Sequence, residues 1–319
     1  MRPARFLVLA LAAMSLVACA PAPYTGDTDG RTGAGGDSGR EPSASATLLD
    51  PPGPAGPPVG GWPDASNTVV PEGTELKPWD GDCTITDAGT VIDSALIECD
   101  LRIRARDVVI TNSRILGTVI LRDTEEDHSF TITDSELVAG ARMGTVLGNG
   151  HFTAERLEIT GGGRSVFCSV DCTIEHSWVH GQAGDTEEEK AHLSGIRMGQ
   201  DTTIRFNTIV CEGERIPPAS GCSAALTGYG DFRPVQNNLI EGNLFKSGTA
   251  SFCAFGGSTR DKPFSDDVRD IRFINNVFQR DENGSCGIHA PIEAFDEGAP
   301  GNVWEGNVWD DGEPLPPRN

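Results

Sequence analysis

One short phrase recurs eight times along this 319-residue chain. Its pattern is apolar–x–apolar–x–x–Ser/Asn–x–apolar–apolar, and Gly often closes it. The copies are VVITNSRILG from Val108, FTITDSELVAG from Phe130, FTAERLEITG from Phe152, CTIEHSWVHG from Cys172, TTIRFNTIVC from Thr202, NLIEGNLFKSG from Asn238, IRFINNVFQRD from Ile271 and NVWEGNVWDDG from Asn302. Because recurrence at such intervals is typical of solenoids, this repeat constrains the fold more than any single motif does.

The spacing and the internal pattern of the repeats favour β-structure. Their sixth positions are Ser113, Ser135, Leu157, Ser177, Asn207, Asn243, Asn276 and Asn307, and the successive steps are 22, 22, 20, 30, 36, 33 and 31 residues. Apolar and polar residues alternate within each copy, as they do in strands, and no run has a helical period. The expected fold is all-β, a single-stranded right-handed parallel β-helix (solenoid) of about eight rungs.

The Asn residues of the last four copies are predicted to form a ladder: Asn207, Asn243, Asn276 and Asn307. Asn tolerates the left-handed backbone conformation at a tight corner, and its amide can bond the backbone there. Stacking would also let each amide bond the next one. The copy from Cys172 belongs to the same pattern, so Cys172 and Ile174 should point inward while Thr173 and Glu175 point outward.

Residues 1–19 are predicted to be a lipoprotein signal peptide. Two arginines precede an apolar run from Phe6 to Ala18, which is too short to span a membrane comfortably. The run ends in Leu-Val-Ala-Cys, which resembles the bacterial lipobox, and Cys19 is therefore the predicted lipidation site. An ordinary signal peptide is the alternative. The lipid would anchor an exported protein in the cell membrane, facing outside.

The remainder of the chain divides by composition. Residues 20–66 are rich in Gly, Pro and Ser, without apolar periodicity, and are predicted to be a disordered tether. Residues 67–312 form the predicted β-helix domain, and 313–319 a short C-terminal tail. The net charge of −22 argues against nucleic acid as a partner. It also argues against unaided binding of polyanionic sugars, so Ca²⁺ enters as a candidate cofactor. We expect a monomer.

The cysteines indicate disulfides. Nine are present, and removing Cys19 leaves eight, an even set in an exported chain. The sequence alone leaves the connectivity open. Pairing of neighbours is the simplest prediction, and it gives Cys83–Cys99, Cys168–Cys172, Cys211–Cys222 and Cys253–Cys286.

The repeats resemble those of the right-handed parallel β-helix proteins of the pectate lyase superfamily. The stretch GTVIDSALIECDLRIRARDVVITNSRILG from Gly89 and the elements GNLF, NNVF and GNVW carry this resemblance, which covers about residues 80–312. It implies a fold and no particular reaction, because one fold hosts many functions. The phrase HLSGI from His192 is similar to a His-x-Asp-Gly-Ile phrase of many such proteins, but Ser194 replaces the Asp. Neither the paired aspartates of polygalacturonase-type hydrolases nor the Arg-centred motif of pectate lyases is found.

The later repeats are longer, and their excess residues indicate a binding face. The excess lies in 182–194, 212–221, 229–236, 256–267 and 296–301, and solenoid insertions commonly collect on one face. The catalytic candidates are His192, which can titrate near neutral pH, and Arg197, which should point outward with paired donors. The substrate-binding candidates are His180, Tyr229, Asp231, Arg260, Asp261 and His289. Asp231 and Asp261 could also help to hold Ca²⁺.

Three functions compete. An enzyme acting on extracellular polysaccharide would use His192 as base and Arg197 as charge neutraliser in β-elimination, or Asp231 and Asp261 in hydrolysis. A carbohydrate-binding surface protein would use Tyr229 and Phe232 without turnover. A structural or adhesive lipoprotein would need neither. We favour a cell-surface lipoprotein that binds extracellular polysaccharide and, if it is an enzyme, degrades it as a lyase or hydrolase.

Overall fold

A computed structural model describes residues 55–184, 191–215 and 220–317. The predicted signal peptide, Cys19 and most of the predicted tether lie outside these residues. Residues 55–66 of that tether are described, and they include a turn in which the Ser66 amide donates to Asp64 at 2.8 Å. The chain divisions at residues 19, 66 and 312 stay predictions.

The described chain is all-β. The one helical element among the described residues is a 3₁₀ turn, Ser265–Asp267. The described residues contain no helix that is long and apolar enough to cross a membrane. The strands are short and numerous, and each pairs in parallel with its neighbours in the sheet. Parallel pairing is expected when the chain returns to the same sheet after each repeat.

Ten strands form the first sheet. In spatial order they are β1 (Lys77–Pro78), β4 (Ala95–Ile97), β7 (Arg114–Ile115), β10 (Glu136–Val138), β12 (Glu158–Thr160), β14 (Trp178–His180), β16 (Thr208–Val210), β19 (Leu244–Lys246), β22 (Val277–Phe278) and β25 (Val308–Trp309). Their register matches the sequence repeat, because Ile159 lies beside Val179 and Phe245 beside Phe278.

The second sheet has fifteen strands in two rows. The first row is β2 (Thr84–Ile85), β5 (Leu101–Ile103), β8 (Val119–Leu121), β11 (Thr145–Glu155), β13 (Arg164–Glu175), β15 (His192–Arg205), β17 (Gly221–Gly228), β20 (Phe252–Phe255) and β23 (Ala290–Glu293). The second row adds β3 (Val91–Asp93), β6 (Val108–Thr111), β9 (Phe130–Thr133), β18 (Gln236–Glu241), β21 (Arg269–Ile274) and β24 (Val303–Glu305). Strands β11, β13 and β15 are long enough to pair in both rows.

The core is a stack of apolar columns between the sheets. One column runs in register through Ile132, Ala154, Ile174, Ile204 and Ile240, all fully buried. Each column continues because strands that are 20 to 36 residues apart in sequence become neighbours at the spacing of a β-ladder. Long parallel sheets joined in this way are consistent with a parallel β-solenoid.

The predicted Asn residues do stack, and they are buried. The amide nitrogens Nδ2 of Asn207 and Asn243 each donate to the side-chain oxygen of the next Asn at 3.0 Å. That same oxygen also accepts the backbone N–H of the preceding Asn. Asn276 and Asn307 continue the ladder in the same way at 2.9–3.0 Å. Because these amides satisfy backbone groups inside the core, each is a structural element.

The expectation of left-handed backbone at the ladder residues is wrong by one position. Positive φ values of 48–64° occur at Asn112, Asp134, Arg156, His176, Phe206, Gly242, Asn275 and Gly306, directly before the ladder residue. The left-handed residue turns the chain, and the next side chain can then point inward to bond the neighbouring backbone. His176 is therefore a corner residue, with its ring stacked 5.2 Å from that of Phe206.

Three of the four predicted cysteine pairs are disulfides, namely Cys83–Cys99, Cys211–Cys222 and Cys253–Cys286. The fourth, Cys168–Cys172, is not, and both residues are buried free thiols. Both lie on β13, where left-handed Asp171 (φ 50°) interrupts the extended backbone between them. The two side chains meet as a thiol hydrogen bond and not in the geometry of a disulfide.

The described part of the tail packs against the last repeat. Val308 forms an antiparallel bridge with Pro314, and the Leu315 amide donates to Asn307 O at 2.9 Å. The Trp304 indole N–H donates to Leu315 O at 2.6 Å. Leu315 is buried, so residues 314–315 cover the final strand of the first sheet.

Candidate functional site

A cavity of about 460 Å³ opens on the outward face of the first row of the second sheet. Its floor comes from β13, β15, β17 and β20, and its wall from the segments that follow β17 and β20. The lining residues are Arg164, His192, Leu193, Ser194, Arg197, Ser223, Thr227, Tyr229, Asp231, Ser251, Phe252, Phe255 and Lys262. The cavity thus gathers four of the predicted site residues: His192, Arg197, Tyr229 and Asp231.

Arg197 is a buried and paired charge in the cavity. It alternates outward between the buried Ile196 and Met198, as the sequence predicts, but the wall covers it and leaves it 8% exposed. Its Nη2 donates to Asp231 Oδ2 at 2.7 Å and to Tyr229 O at 3.3 Å. Its guanidinium carbon lies 5.2–5.6 Å from the rings of Phe167, Tyr229 and Phe232. Rings at this distance attract the cation.

Asp231 receives two cations. Besides Arg197, Lys262 places its Nζ 2.9 Å from Asp231 Oδ1. Burial alone raises the pKa of Asp231, but the hydrogen bonds from Lys262 and Arg197 outweigh burial and hold that pKa below its ordinary value. Asp231 is therefore an ionised, doubly paired carboxylate, and neither of its oxygens is free to act as a catalytic base.

Arg164 is a cation without an ion pair. Its Nη1 donates to Thr145 Oγ1 at 3.3 Å, and its guanidinium carbon lies 5.0 Å from the Phe167 ring. Within the described residues no carboxylate lies within 4 Å of it. Burial, followed by the charge of Arg197, lowers the pKa of Arg164 to about 10, so the group is still protonated near neutral pH.

Tyr229 contributes a polar edge to an apolar wall. Its ring packs 5.2 Å from that of Phe255 in a tilted arrangement, and Lys262 Nζ lies 5.9 Å from the Tyr229 ring centroid. Burial raises the pKa of the Tyr229 hydroxyl above its ordinary value, although a hydrogen bond with Ser223 acts in the opposite direction. The hydroxyl therefore stays protonated and can both donate and accept hydrogen bonds.

The predicted catalytic histidine lies at the cavity edge. His192 is exposed, begins β15 and also lines an adjoining depression with Ser251. His289 is exposed as well, and its ring lies 5.5 Å from that of Phe252, but it is not a lining residue of the cavity. Only one of the two imidazoles therefore reaches the space that Arg197 faces.

The other predicted binding residues lie elsewhere. Arg260 lines a separate depression with Thr259 and Glu293, and Asp261, in a left-handed conformation with φ 62°, is not in the cavity lining. His180 lies on β14 in the first sheet, where its Nε2 is 2.9 Å from Glu158 Oε1 and its ring stacks 3.6 Å from that of Trp178. These three residues do not join the predicted site.

The described lining of the cavity is poor in carboxylates. In residues 55–184, 191–215 and 220–317, no group of three or more His, Cys, Asp or Glu side chains is arranged to hold a metal ion. Of the described carboxylates, Asp231 alone lines the cavity, whereas hydrolysis of a glycosidic bond ordinarily needs two.

The repeat pattern does not indicate Arg164 and Lys262 as site residues. Arg164 precedes the long repeats, yet it lies beside Ser194 in the ladder, so the cavity begins one repeat before them. Lys262 directly follows Asp261 in a loop. A loop has no periodicity from which to infer side-chain direction.

Comparisons with known proteins identify no relative. No family model matches the chain, no curated protein matches it, and no solved structure matches it. The chemistry of the cavity is therefore derived from its own side chains.

Proposed function

We propose that this protein is an exported lipoprotein that binds extracellular polysaccharide in the cavity on its second sheet. The observation that carries the proposal is the gathering of Arg197, Tyr229, Asp231 and His192 with Arg164 and Lys262 around one space. Ligand sites combine apolar walls with a few convergent polar groups. The rings of Phe252 and Phe255 can pack on a sugar ring, and hydroxyls such as that of Ser223 can bond its substituents.

The charge of the cavity favours an acidic polysaccharide. Three cations, Arg164, Arg197 and Lys262, face one carboxylate, in a protein whose net charge is −22. A local excess of positive charge in a partly enclosed site attracts anions even when the whole molecule repels them. The three basic side chains would thus do what a bound cation would otherwise have to do, namely offset the repulsion between an acidic polysaccharide and this acidic protein.

The proposed fold is a right-handed parallel β-helix of about eight rungs, related to the pectate lyase superfamily. The in-register stacking of the eight repeats and the parallel sheets support it. Connections between parallel strands of one sheet are overwhelmingly right-handed.

The proposed location is the outer face of the cell membrane. Three disulfides favour an oxidising compartment outside the cytosol. Lipidation of Cys19 would anchor the chain, and residues 20–66 would separate the domain from the lipid. In Cys19→Ala we expect release from the membrane fraction and loss of the acyl mass, and unchanged partitioning would disprove the anchor.

Binding is tested with a panel of neutral, carboxylated and sulfated polysaccharides, measured by calorimetry. We expect at least one to bind, with about tenfold loss in Tyr229→Phe, which removes only a hydroxyl, and a greater loss in Arg197→Ala. Arg272→Ala, an exposed arginine on β21 outside the cavity, is the control and should bind normally. The proposal fails if no polysaccharide binds, or if both cavity variants bind as the control does.

β-Elimination is the second candidate activity, because His192 lines the same cavity as Arg197. His192 would remove the proton beside a sugar carboxylate, and the guanidinium groups would stabilise the resulting enolate-like charge. Formation of the carbon–carbon double bond would then break the bond to the glycosidic oxygen, which leaves and takes up a proton from water. Ultraviolet absorbance of unsaturated products on the same panel tests this. Absorbance that grows with time and disappears in His192→Ala supports elimination, whereas binding without products establishes a non-catalytic protein.

A further inference from the structure

Arg164 is the most unusual side chain of the cavity. Its guanidinium is partly buried and stays protonated near neutral pH, with a pKa of about 10. Its one hydrogen bond among the described residues goes to the neutral hydroxyl of Thr145. A buried charge without a partner is costly, so proteins pair such groups or use them to hold a ligand of opposite charge.

Among the described residues, no carboxylate is left over to pair with Arg164. Asp231 is the carboxylate of the described cavity lining, and its two oxygens are already bonded to Arg197 and Lys262. Arg197 adds a second positive charge, and the Phe167 ring lies 5.0 and 5.2 Å from the two guanidinium carbons. The fold therefore holds two guanidinium groups against one aromatic ring despite their repulsion.

We propose that Arg164 and Arg197 bind a tetrahedral oxyanion, the sulfate or phosphate substituent of a sugar chain. This inference rests on the proposed polysaccharide function and names the substituent that the cavity recognises. A carboxylate has two oxygens, and a bidentate contact with one guanidinium engages both, so a second guanidinium would have to share them. Sulfate and phosphate groups present three or more oxygens, so one group can satisfy donors of both arginines while Asp231 keeps its own partners.

The charge count agrees with this assignment. The described lining has three cations against one carboxylate, so these side chains can accept up to two negative charges before their sum becomes negative. Arg197 uses Nη2 for Asp231 and Tyr229 O, which leaves its other nitrogens for a ligand. Arg164 uses only Nη1 among the described contacts.

The test uses the full chain with sodium sulfate, sodium phosphate and sodium acetate as probes, at constant ionic strength. Calorimetry measures binding, and thermal unfolding measures the rise in Tm that a bound ligand produces. We expect sulfate or phosphate to bind at least about tenfold more tightly than acetate, because they offer more oxygens and more negative charge to the two guanidinium groups. Sulfate also stabilises proteins without binding, so the comparison between variants is decisive.

The informative variant is Arg164→Gln, which removes the charge and keeps a polar side chain. It should lose at least about tenfold in affinity for sulfate or phosphate. Its own Tm without salt should equal or exceed that of the parent, since it relieves an unpaired charge. The control is Arg272→Gln, an exposed arginine outside the cavity, which should bind the probes as the parent does.

Two results would overturn the inference: acetate binding as tightly as sulfate and phosphate, or Arg164→Gln retaining the parent's affinity. Failure of the proposed function is distinguishable from both. If a neutral or carboxylated polysaccharide binds and depends on Tyr229 while sulfate and phosphate do not bind, the polysaccharide function stands and the oxyanion site falls. If sulfate binds through Arg164 but no polysaccharide binds, the oxyanion site stands and the polysaccharide function falls.

Discussion

The first four repeats and the last four share one register but differ in length and in the residue that forms the ladder. In the first four, ladder residues are 20 to 22 residues apart, and in the later ones 30 to 36. The early ladder uses Ser113, Ser135 and Ser177, with Leu157 in one place, whereas the late ladder uses Asn throughout. The longer repeats thus carry both the stronger ladder and the extra chain.

Two outward arginines show what the extra chain does. Arg102 on β5 and Arg197 on β15 lie in the same row of the second sheet, and both point away from the core. Arg102 is exposed, whereas Arg197 is 8% exposed, because the segment after β17 covers it and supplies Asp231. The repeat sets the direction of a side chain, and the insertions convert an exposed charge into a buried, paired one.

Removing disulfides should give the largest effects. Cys253–Cys286 closes 33 residues among the late repeats, and Cys83–Cys99 closes 16 before the early ones. The chain-entropy model gives about 3.7 kcal/mol for the first and about 3.1 kcal/mol for the second. We expect urea unfolding of the two double Cys→Ser variants to show both losses in this order. A larger loss from the N-terminal pair would contradict the comparison.

Single ladder substitutions should come next. Asn243 accepts bonds from the backbone and side chain of Asn207 and donates to Ile204 O and to Asn276. Ser135 accepts one bond, from the Ser113 amide, and donates one, to Thr133 O. Asn243→Ala should lower the free energy of unfolding by about 3 kcal/mol and Ser135→Ala by about 1 kcal/mol, since more buried groups lose partners. Equal losses would mean that the two halves of the ladder are equivalent.

Removing the paired carboxylate of the cavity wall, Asp231, should have a smaller effect on the free energy of unfolding. The pKa of Asp231 is lower in the folded protein than its ordinary value of 3.8. The ionised carboxylate therefore stabilises the fold when the pH is above the unfolded-state pKa, and this stabilisation is lost as the pH falls through the folded-state pKa. Asp231→Asn should therefore cost about 1 kcal/mol at neutral pH and less at acidic pH. Chemical unfolding at both pH values measures the difference. A cost that grows on acidification would refute the pairing.

The smallest change concerns the boundary between the two halves, where Cys168 and Cys172 lie. Burial, followed by the neighbouring thiol of Cys168, raises the pKa of Cys172, so its reactive thiolate is scarce. No cysteine after Cys19 should react with a thiol reagent in the folded protein. After unfolding without reductant, two of the eight should react. Zero reactive thiols would restore the fourth disulfide predicted from the sequence.

The repeats can be predicted well from the sequence because each one follows the same alternation of inward and outward side chains. The alternation from Cys172 to Glu175 agrees with the burial of Cys172 and Ile174, and the neighbour pairing of Cys211 with Cys222 is correct. The outward direction of Arg197 follows from the same alternation. Strand periodicity and stacking therefore suffice to align the core and its ladder.

The wall of the cavity is harder to predict, because contacts within it are not periodic. Lys262 rather than Asp261 meets Asp231, and Arg260 faces another depression, although all three neighbours share one loop. His180, another predicted binding residue, lies on the first sheet, where Glu158 is its partner. Deciding which sheet an outward residue belongs to requires the position of every corner, and sequence spacing alone does not give it.

The tail has a consequence for how copies of this protein meet one another. A stack of parallel strands ends in a strand whose backbone groups face no neighbour, and such an edge can recruit a strand from another molecule. Here Pro314 bridges Val308, and the Leu315 amide donates to Asn307 O, so residues 314–315 occupy the final edge of the first sheet. A second molecule would have to displace this segment before one of its strands could pair with that edge.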